Sequence, residues 1–279
     1  MAKRRFFFSR TFFLIVGAIF CILTFCYLWG PQTVMAYALR KQAKKIVILD
    51  ERPLPLTFVS NNSAPGRKLV HAGFSFEVPW EDLDVPNSKS GANIAAFKFR
   101  SGRTILFFGP SPNHEDLLST LEKSFGDGRG NLKRLLGAEA TKTNYAFHRA
   151  ILEETPDRIS PFIPKRDAIR SSMLLVVKAI SSVGGETGLF EVQSSGWRGF
   201  QFDDPAKRPK RVTLELYDNQ DRHIEIIFWP GATEDAGVTQ ADINRGLESL
   251  RATDEPQTIP PQNGLREKIG SLATSHASR

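Results

Sequence analysis

Residues 211–230, RVTLELYDNQDRHIEIIFWP, carry the pattern that decides the fold of this chain. Apolar side chains recur at every second position on both sides of DNQD, and the residues between them are mostly polar. A two-residue period indicates a β-hairpin with one covered face and one polar face, as in an antiparallel sheet. The apolar positions are Val212, Leu214, Leu216, Ile224, Ile226 and Phe228.

Three stretches outside this hairpin predict further strands of the same sheet. In the second stretch, Gly102 can take the positive φ that a tight hairpin turn requires. The stretches are GFSFEVPW (73–80), IAAFKFRSGRTILFFGP (94–110) and GLFEVQSSGWRGFQF (188–202).

Helical signals separate these strands. They predict helices at 113–128, around 143–154, over 164–180 and over 239–250. In the last of these, Thr239 with Asp242 three residues later forms a capping-box pattern. The 164–180 helix has one apolar face, which we expect to be buried. That face is formed by Ile169, Met173, Val176, Val177 and Ile180.

The order of strands, helices, strands and helix predicts an α+β fold. We expect an N-terminal transmembrane helix followed by one antiparallel-sheet domain with packed helices, resembling an α/β/α sandwich. The predicted organisation is a basic cytoplasmic arm (1–10), a transmembrane anchor (11–30), a juxtamembrane basic segment and linker (31–66), the α+β domain (67–251) and a disordered tail (252–279).

The anchor is predicted from an apolar run of 19 residues, Thr11 to Trp29, inside a stretch without charge that extends to Leu39. A helix of that length covers about 28 Å, close to the hydrocarbon thickness of a bilayer. The alternative is a cleaved leader and a secreted protein, because Ala36-Tyr37-Ala38 resembles a signal-peptidase site that would be cut after Ala38.

The orientation of the anchor is predicted from the basic residues that flank it. Four of them precede the span and four follow it, but Arg10 directly abuts the apolar run. Because the basic residues nearest a span weigh most, we expect a cytoplasmic N-terminus and an extracytoplasmic C-terminal domain. The eight are Lys3, Arg4, Arg5, Arg10, Arg40, Lys41, Lys44 and Lys45.

Charge limits the partners that the chain can bind. Without those eight residues, the net charge of +7 disappears, since 29 basic residues then face 30 acidic ones. The flanking basic residues and the N-terminal helix predict contact with membrane lipids. The sequence shows no broad basic face interleaved with stacking aromatic residues, so we do not expect it to bind nucleic acid. One local run, at 207–211, is either a solvated turn or an anion site.

Four motifs resemble a set of uncharacterised bacterial single-pass membrane-anchored proteins. The motifs are SSMLLVVKAI, GWRGFQFDDP, LELYDNQDRHIEIIFW and TQADINRGLESLR, and they fall between residues 140 and 251. The layout is more distantly similar to the PsbP-like α/β/α fold. The resemblance implies architecture, and PsbP-like domains are generally non-catalytic accessory modules.

No catalytic motif, metal-ligand spacing or cofactor motif is recognisable, and both cysteines lie inside the predicted span. Trp197 and Arg198 could form an exposed partner-binding tip, or Trp197 could pack against a helix. His223 and Glu225 share one strand face, next to Thr213, Glu215 or Tyr217 of the partner strand, and could form an acid–base cluster or belong to a solvated or salt-bridged sheet face. We therefore expect a membrane-tethered, non-enzymatic domain that binds a protein partner or supports an envelope complex. The alternative is a membrane-anchored, hydrolase-like enzyme with a dispersed site.

Overall fold

The computed structural model describes residues 47–56, 66–110, 136–159, 165–181, 187–194, 196–233 and 236–260, together with residues 30, 34, 38, 41 and 134. Its strands are β1 (Leu54–Pro55), β2 (Arg67–His71), β3 (Phe74–Val78), β4 (Lys89–Ser90), β5 (Ile94–Lys98), β6 (Thr104–Phe108), β7 (Leu189–Ser194), β8 (Trp197–Phe202), β9 (Val212–Asp218), β10 (His223–Trp229) and β11 (Arg251–Ala252). Its α-helices are α1 (Asn144–Leu152), α2 (Lys165–Ser181) and α3 (Gln240–Ser249).

The strands form two sheets, and the predicted α+β class is confirmed. The large sheet has the order β1-β7-β8-β9-β10-β6-β5-β4, and the small sheet has the order β11-β3-β2. Neighbouring strands are antiparallel, except that β1 pairs with β7 in parallel. The prediction of one antiparallel sheet therefore missed both the second sheet and the parallel edge pair.

The hairpin of β9 and β10 has the register that its alternation predicts. Leu214 lies opposite Ile226, and Glu215 lies opposite Glu225. All six apolar positions of this hairpin are at most 1 % exposed. They pack with the small sheet and α3 in the main core, which includes Leu69, Phe76, Val78, Phe97, Ile105, Phe107, Ile243 and Leu247.

Local turn and cap signals were read correctly where the structure describes them. Gly102 has φ +88° in the turn between β5 and β6. The Thr239 side chain accepts from the Asp242 N–H, and the Asp242 carboxylate accepts from the Thr239 N–H, so the predicted capping box is present. Thr143 caps α1 by accepting a hydrogen bond from the Ala146 N–H.

The predicted buried face of α2 is wrong in part. Ile169 is 46 % exposed and Val176 is 50 % exposed, whereas Val177 is buried. The face that packs toward α1 runs along different positions. Its buried members are Ala168, Ser171, Leu174, Leu175, Val177 and Lys178. The apolar pattern predicted a partly wrong face because Lys178 belongs to the inner face, whereas the branched apolar side chains of Ile169 and Val176 belong to the outer face.

Two predicted boundaries are also wrong. Residues 47–56 were assigned to the linker, but Ile48 and Leu49 are buried and β1 pairs with β7. Residues 252–260 were assigned to a disordered tail, but the Thr258 N–H donates to the Val70 carbonyl and Ile259 is 2 % exposed. Both segments fold because they supply backbone partners to strands that would otherwise end a sheet.

No helix in the described part of the chain is long and apolar enough to cross a membrane. The predicted anchor lies outside the described residues except for Gly30. The predicted helix at 113–128 and the tail beyond residue 260 also lie outside them.

Candidate functional site

Trp197 and Arg198, the predicted partner-binding residues, point to different places. Trp197 is 6 % exposed, and its ring meets Phe74 edge-on at 5.6 Å between centroids. The exposed-tip interpretation of Trp197 is therefore wrong; the ring is buried, but the contact that buries it is with Phe74 of β3 rather than with a helix. Arg198 stays exposed, with its guanidinium 4.3 Å from the centre of the Tyr145 ring.

The polar face of the β9–β10 hairpin is covered by helix α1 rather than by solvent. The Asp221 carboxylate, in the turn between the two strands, accepts hydrogen bonds from the N–H groups of Asn144 (2.6 Å) and Tyr145 (3.2 Å). The first helical turn has such N–H groups to offer, and its positive dipole end favours a carboxylate. Asp221 thus fixes the start of α1 on the sheet.

Under α1 lies an acid–base cluster of five side chains. The His148 Nδ1 atom is 3.0 Å from the Tyr217 hydroxyl and 3.2 Å from Glu215 Oε2. The Nε2 atom of His223 lies 3.8 Å from the same Glu215 oxygen, and Glu225 faces Glu215 across the strands. The structure therefore brings the predicted pair His223 and Glu225 together with a second histidine.

Burial controls the protonation of this cluster. Burial and, to a smaller extent, the neighbouring Glu225 raise the pKa of Glu215 to about 8. Burial also raises the pKa of Glu225 to about 6, against the lowering effect of Arg211. Burial, with His223 nearby, lowers the pKa of His148 to about 3. Since desolvation disfavours both charged forms, His148 and Glu215 meet as a neutral pair at neutral pH.

A neutral carboxylic acid beside a neutral imidazole can donate or accept a proton, which is the chemistry of general acid–base catalysis. Here, however, the titratable atoms of His148, Tyr217 and Glu215 already contact one another. The side chains of His148, Glu215 and His223 are 7 %, 19 % and 30 % exposed. The two cavities described below are lined by other residues. The contacts therefore first of all join α1 to the sheet.

Lys178 of α2 holds the other end of α1. Its ammonium group is buried and donates to the carbonyl oxygens of Glu51 (2.6 Å), Leu152 (2.8 Å) and Glu154 (2.9 Å). Burial lowers its pKa to about 8, although Glu154 and Glu51 raise it. Because the last carbonyls of a helix lack internal partners, this lysine completes the C-terminal end of α1.

An open cleft of about 830 Å³ lies beside this lysine, at the edge of the large sheet. We call it the edge cleft. Arg52 donates to the Thr155 hydroxyl (2.9 Å), and Lys207 donates to the Thr187 carbonyl. Burial raises the pKa of the Glu51 carboxyl, against the lowering effect of Lys207. The lining consists of Asp50, Glu51, Arg52, Leu54, Thr155, Asp157, Thr187, Gly188, Leu189, Phe190, Asp204 and Lys207.

The basic run at 207–211 does not converge on one site. Lys207 lines the edge cleft, whereas Arg208 lines a separate groove of about 280 Å³ between Pro205 and Pro230. Arg211 acts electrostatically on Glu225 in the acid–base cluster. Because these side chains serve three places, the described loop does not form the single anion site that the run allowed.

In the part of the chain that the structure describes, no three or more His, Cys, Asp or Glu residues are grouped to hold a metal ion. No protein-family model matches the chain, and no curated protein matches it either. Function therefore has to be inferred from the side chains and surfaces of this chain.

Two important residues were missed from the sequence. His148 lies three residues after Tyr145 and four before Leu152, so these residues share one helical face, and this spacing could have indicated its burial. Lys178 lies four and seven residues after Leu174 and Ser171, but a lysine at such a position is normally read as exposed. For the edge cleft no local signal exists, because the β1–β7 pairing joins segments far apart in sequence.

Proposed function

We propose that this chain is a membrane-tethered, non-enzymatic domain that binds a protein partner outside the cytoplasm. The run of apolar residues at 11–29 would anchor it, and the basic residues on both sides would contact lipid headgroups. The folded body would be an α/β/α sandwich, with α3 and the small sheet on one side and α1 and α2 on the other. This layer order supports, at the level of architecture, the resemblance to PsbP-like accessory modules.

The observation that carries this proposal is the position and lining of the edge cleft. Asp50, Glu51, Arg52 and Leu54 belong to the first segment of the folded body and all line the cleft. The basic juxtamembrane residues end at Lys45, only five residues before Asp50. A cleft so close to the anchor in sequence is within reach of a partner in or beside the membrane.

The lining also has the composition of a binding surface. Leu54 is 61 % exposed, and the half-buried Phe190 adds apolar surface beside it. Charged and hydroxyl side chains surround these residues. An apolar centre inside a polar rim is the usual anatomy of a protein–protein contact, and exposed apolar surface commonly marks one.

The test is site-specific photo-crosslinking of the full-length chain in its native membrane. A benzophenone side chain would replace Leu54 in one variant and Val85, another exposed apolar residue (43 %), in the other. We expect a discrete adduct from position 54 that is absent at position 85. Equal adducts at both positions, or none at position 54, would contradict the proposal.

A second candidate function is an enzyme, and the favouring observation is that His148 completes the acid–base cluster. Its test is a panel of ester, phosphoester, peptide and glycoside substrates offered to the purified full-length chain. Hydrolysis that Glu215→Gln abolishes and Glu81→Gln leaves intact would establish the enzyme and overturn the non-enzymatic proposal. Glu81 is an exposed carboxylate and serves as the matched control.

A further inference from the structure

We infer that the edge cleft binds a basic segment of the partner, with a lysine or arginine side chain placed against Glu51. This inference rests on the proposed function, because it names the chemistry of the partner at the same cleft. Three observations carry it: the charges of the lining, unpartnered carboxylate oxygens, and apolar surface beside them.

The charges of the lining favour a cation. Four carboxylates, from Asp50, Glu51, Asp157 and Asp204, face two basic side chains, from Arg52 and Lys207. Both basic groups already have partners within the fold. Arg52 bonds to the Thr155 hydroxyl and lies 3.5 Å from Asp157, and Lys207 donates to the Thr187 carbonyl. The cleft therefore keeps an excess of negative charge, which attracts a basic partner.

Glu51 has a buried carboxylate oxygen, Oε2, to which no described residue donates a hydrogen bond. Burial raises its pKa because the charged form has lost water. A lysine ammonium or an arginine guanidinium would restore the missing hydrogen bonds and stabilise the charge.

A second carboxylate, that of Glu154, lies behind the cleft. Glu154 is 3 % exposed, and its Oε1 atom also has no hydrogen-bond partner in the described part of the chain. Lys178, the buried cation between the two carboxylates, is hydrogen-bonded to three backbone carbonyls instead. Arg158 approaches the other Glu154 oxygen at 3.6 Å, so the fold supplies a cation to Glu154, whereas the buried Oε2 atom of Glu51 has no donor among the described residues.

The apolar residues fit the stem of a basic side chain. Lysine and arginine bury their methylene groups along apolar surface while the charged end reaches a polar group. Leu54, which is exposed, and the half-buried Phe190 provide such surface in the same cleft as Glu51. An acidic or wholly apolar segment would use only one part of this lining.

The test is peptide binding to the full-length chain in nanodiscs of neutral phosphatidylcholine. The probe is a fluorescent pentapeptide of alternating lysine and leucine, and the matched probe has glutamate in place of lysine. We expect the lysine peptide alone to raise fluorescence anisotropy at low ionic strength. Glu51→Gln should weaken its binding about tenfold, as the loss of one charge-assisted pair predicts. The exposed control Glu81→Gln should change binding less than about twofold.

Each outcome decides a different point. Equal loss in the Glu51 and Glu81 variants, or no lysine-peptide binding, would overturn the inference. If position 54 still gives its crosslinked adduct, the proposed function survives that failure. Tighter binding when Lys41, Lys44 and Lys45 are all changed to glutamine would show that the chain's own basic segment occupies the cleft, and would also overturn the inference. Unchanged circular dichroism of Glu51→Gln confirms that the variant is folded.

Discussion

Glu215 shows how the protonation of a residue depends on what covers it. In the sequence it lies on the polar side of an alternating strand, where a solvated carboxylate is expected. In the structure α1 lies over it, and His148 and Glu225 are its neighbours. Its ionised form has lost water and faces another carboxyl, so its pKa rises to about 8.

We predict that Glu215→Gln stabilises the protein increasingly as the pH rises from 4.5 to 8. The native pKa of about 8 lies above the ordinary glutamate value of 4.5, so the unfolded chain releases its proton first and stability falls across that interval. At about 1.4 kcal/mol per pKa unit, the difference between variant and wild type should grow by up to a few kcal/mol. Urea unfolding of both proteins at pH 5 and pH 8 measures this difference in the free energy of unfolding.

The control for this prediction is Glu81→Gln, because Glu81 is exposed. It should give the same change in unfolding free energy at both pH values. A difference between Glu215→Gln and wild type that does not vary with pH would mean that Glu215 is solvated, and that α1 does not cover it in solution.

Single residues were predictable where their environment follows from neighbours in sequence. The burial of Val212, Leu214 and Leu216 followed from strand alternation, and the bonds of Thr239 followed from helix-cap spacing. Trp197 left both interpretations open, because its surroundings include Phe74, more than a hundred residues earlier in the chain. Long-range packing of this kind is invisible to a local pattern.

At the scale of elements, α1 is fixed to the fold at both ends. Asp221 binds its first N–H groups, and Lys178 binds carbonyls at and beyond its last turn. Between them, Tyr145 donates to Glu191 and His148 meets Tyr217. Helix α1 has only nine residues, too few for stability in isolation, so these contacts hold it in place.

We predict that Lys178→Met loosens the C-terminal half of α1 more than its N-terminal half. The substitution keeps the volume of the side chain but removes the donor to three carbonyl oxygens. Leaving such acceptors without a partner costs about 1–3 kcal/mol each if they stay dry, so the helix end should open to water. Hydrogen–deuterium exchange should show faster exchange in peptides that cover 149–154.

The matched variant is Lys142→Met, at an exposed lysine just before α1. It should leave exchange unchanged. If Lys178→Met also leaves exchange at 149–154 unchanged, Lys178 does not hold the helix end.

The composition of the inner face of helix α2 explains why the sequence pattern predicted a partly wrong face. A stripe of apolar residues at helical spacing normally faces the core, and Ile169, Val176 and Val177 fit such a stripe. The inner face instead includes Ser171 and Lys178. Lys178 tolerates burial because other segments supply carbonyl oxygens that accept its hydrogen bonds. Hydrophobicity alone could not reveal those partners.

At the scale of the whole molecule, the large sheet is covered on both faces. One face meets the small sheet and α3 in the main core, and the other meets α1 through Tyr145, Phe200, Phe202 and Tyr217. The α+β class followed from the order of elements, since each strand carried its own periodicity. The extent of the folded body could not be predicted in this way, because residues 47–56 and 252–260 join it through backbone pairing that leaves no periodic signal.

The proposed membrane location of the molecule depends on the apolar run at 11–29. We predict that the full-length chain stays in the membrane pellet after alkaline carbonate washing. The double change Ile19→Arg and Phe20→Arg should release it. A charged residue at the centre of a span costs about 2.5–3.5 kcal/mol on the insertion scale, so two such residues outweigh much of the hydrophobic gain.

The matched control is Lys44→Gln with Lys45→Gln, which alters the flanking charge and leaves the apolar run intact. It should remain in the pellet, because the proposed span would supply most of the insertion energy and the basic residues only about 1 kcal/mol each. Protease added to intact spheroplasts should degrade the domain if it lies outside the cytoplasm. A soluble mature chain that begins after Ala38 would show instead that the run is a cleaved leader. The edge cleft would then be carried away from the membrane, and a partner confined to the membrane could no longer reach it.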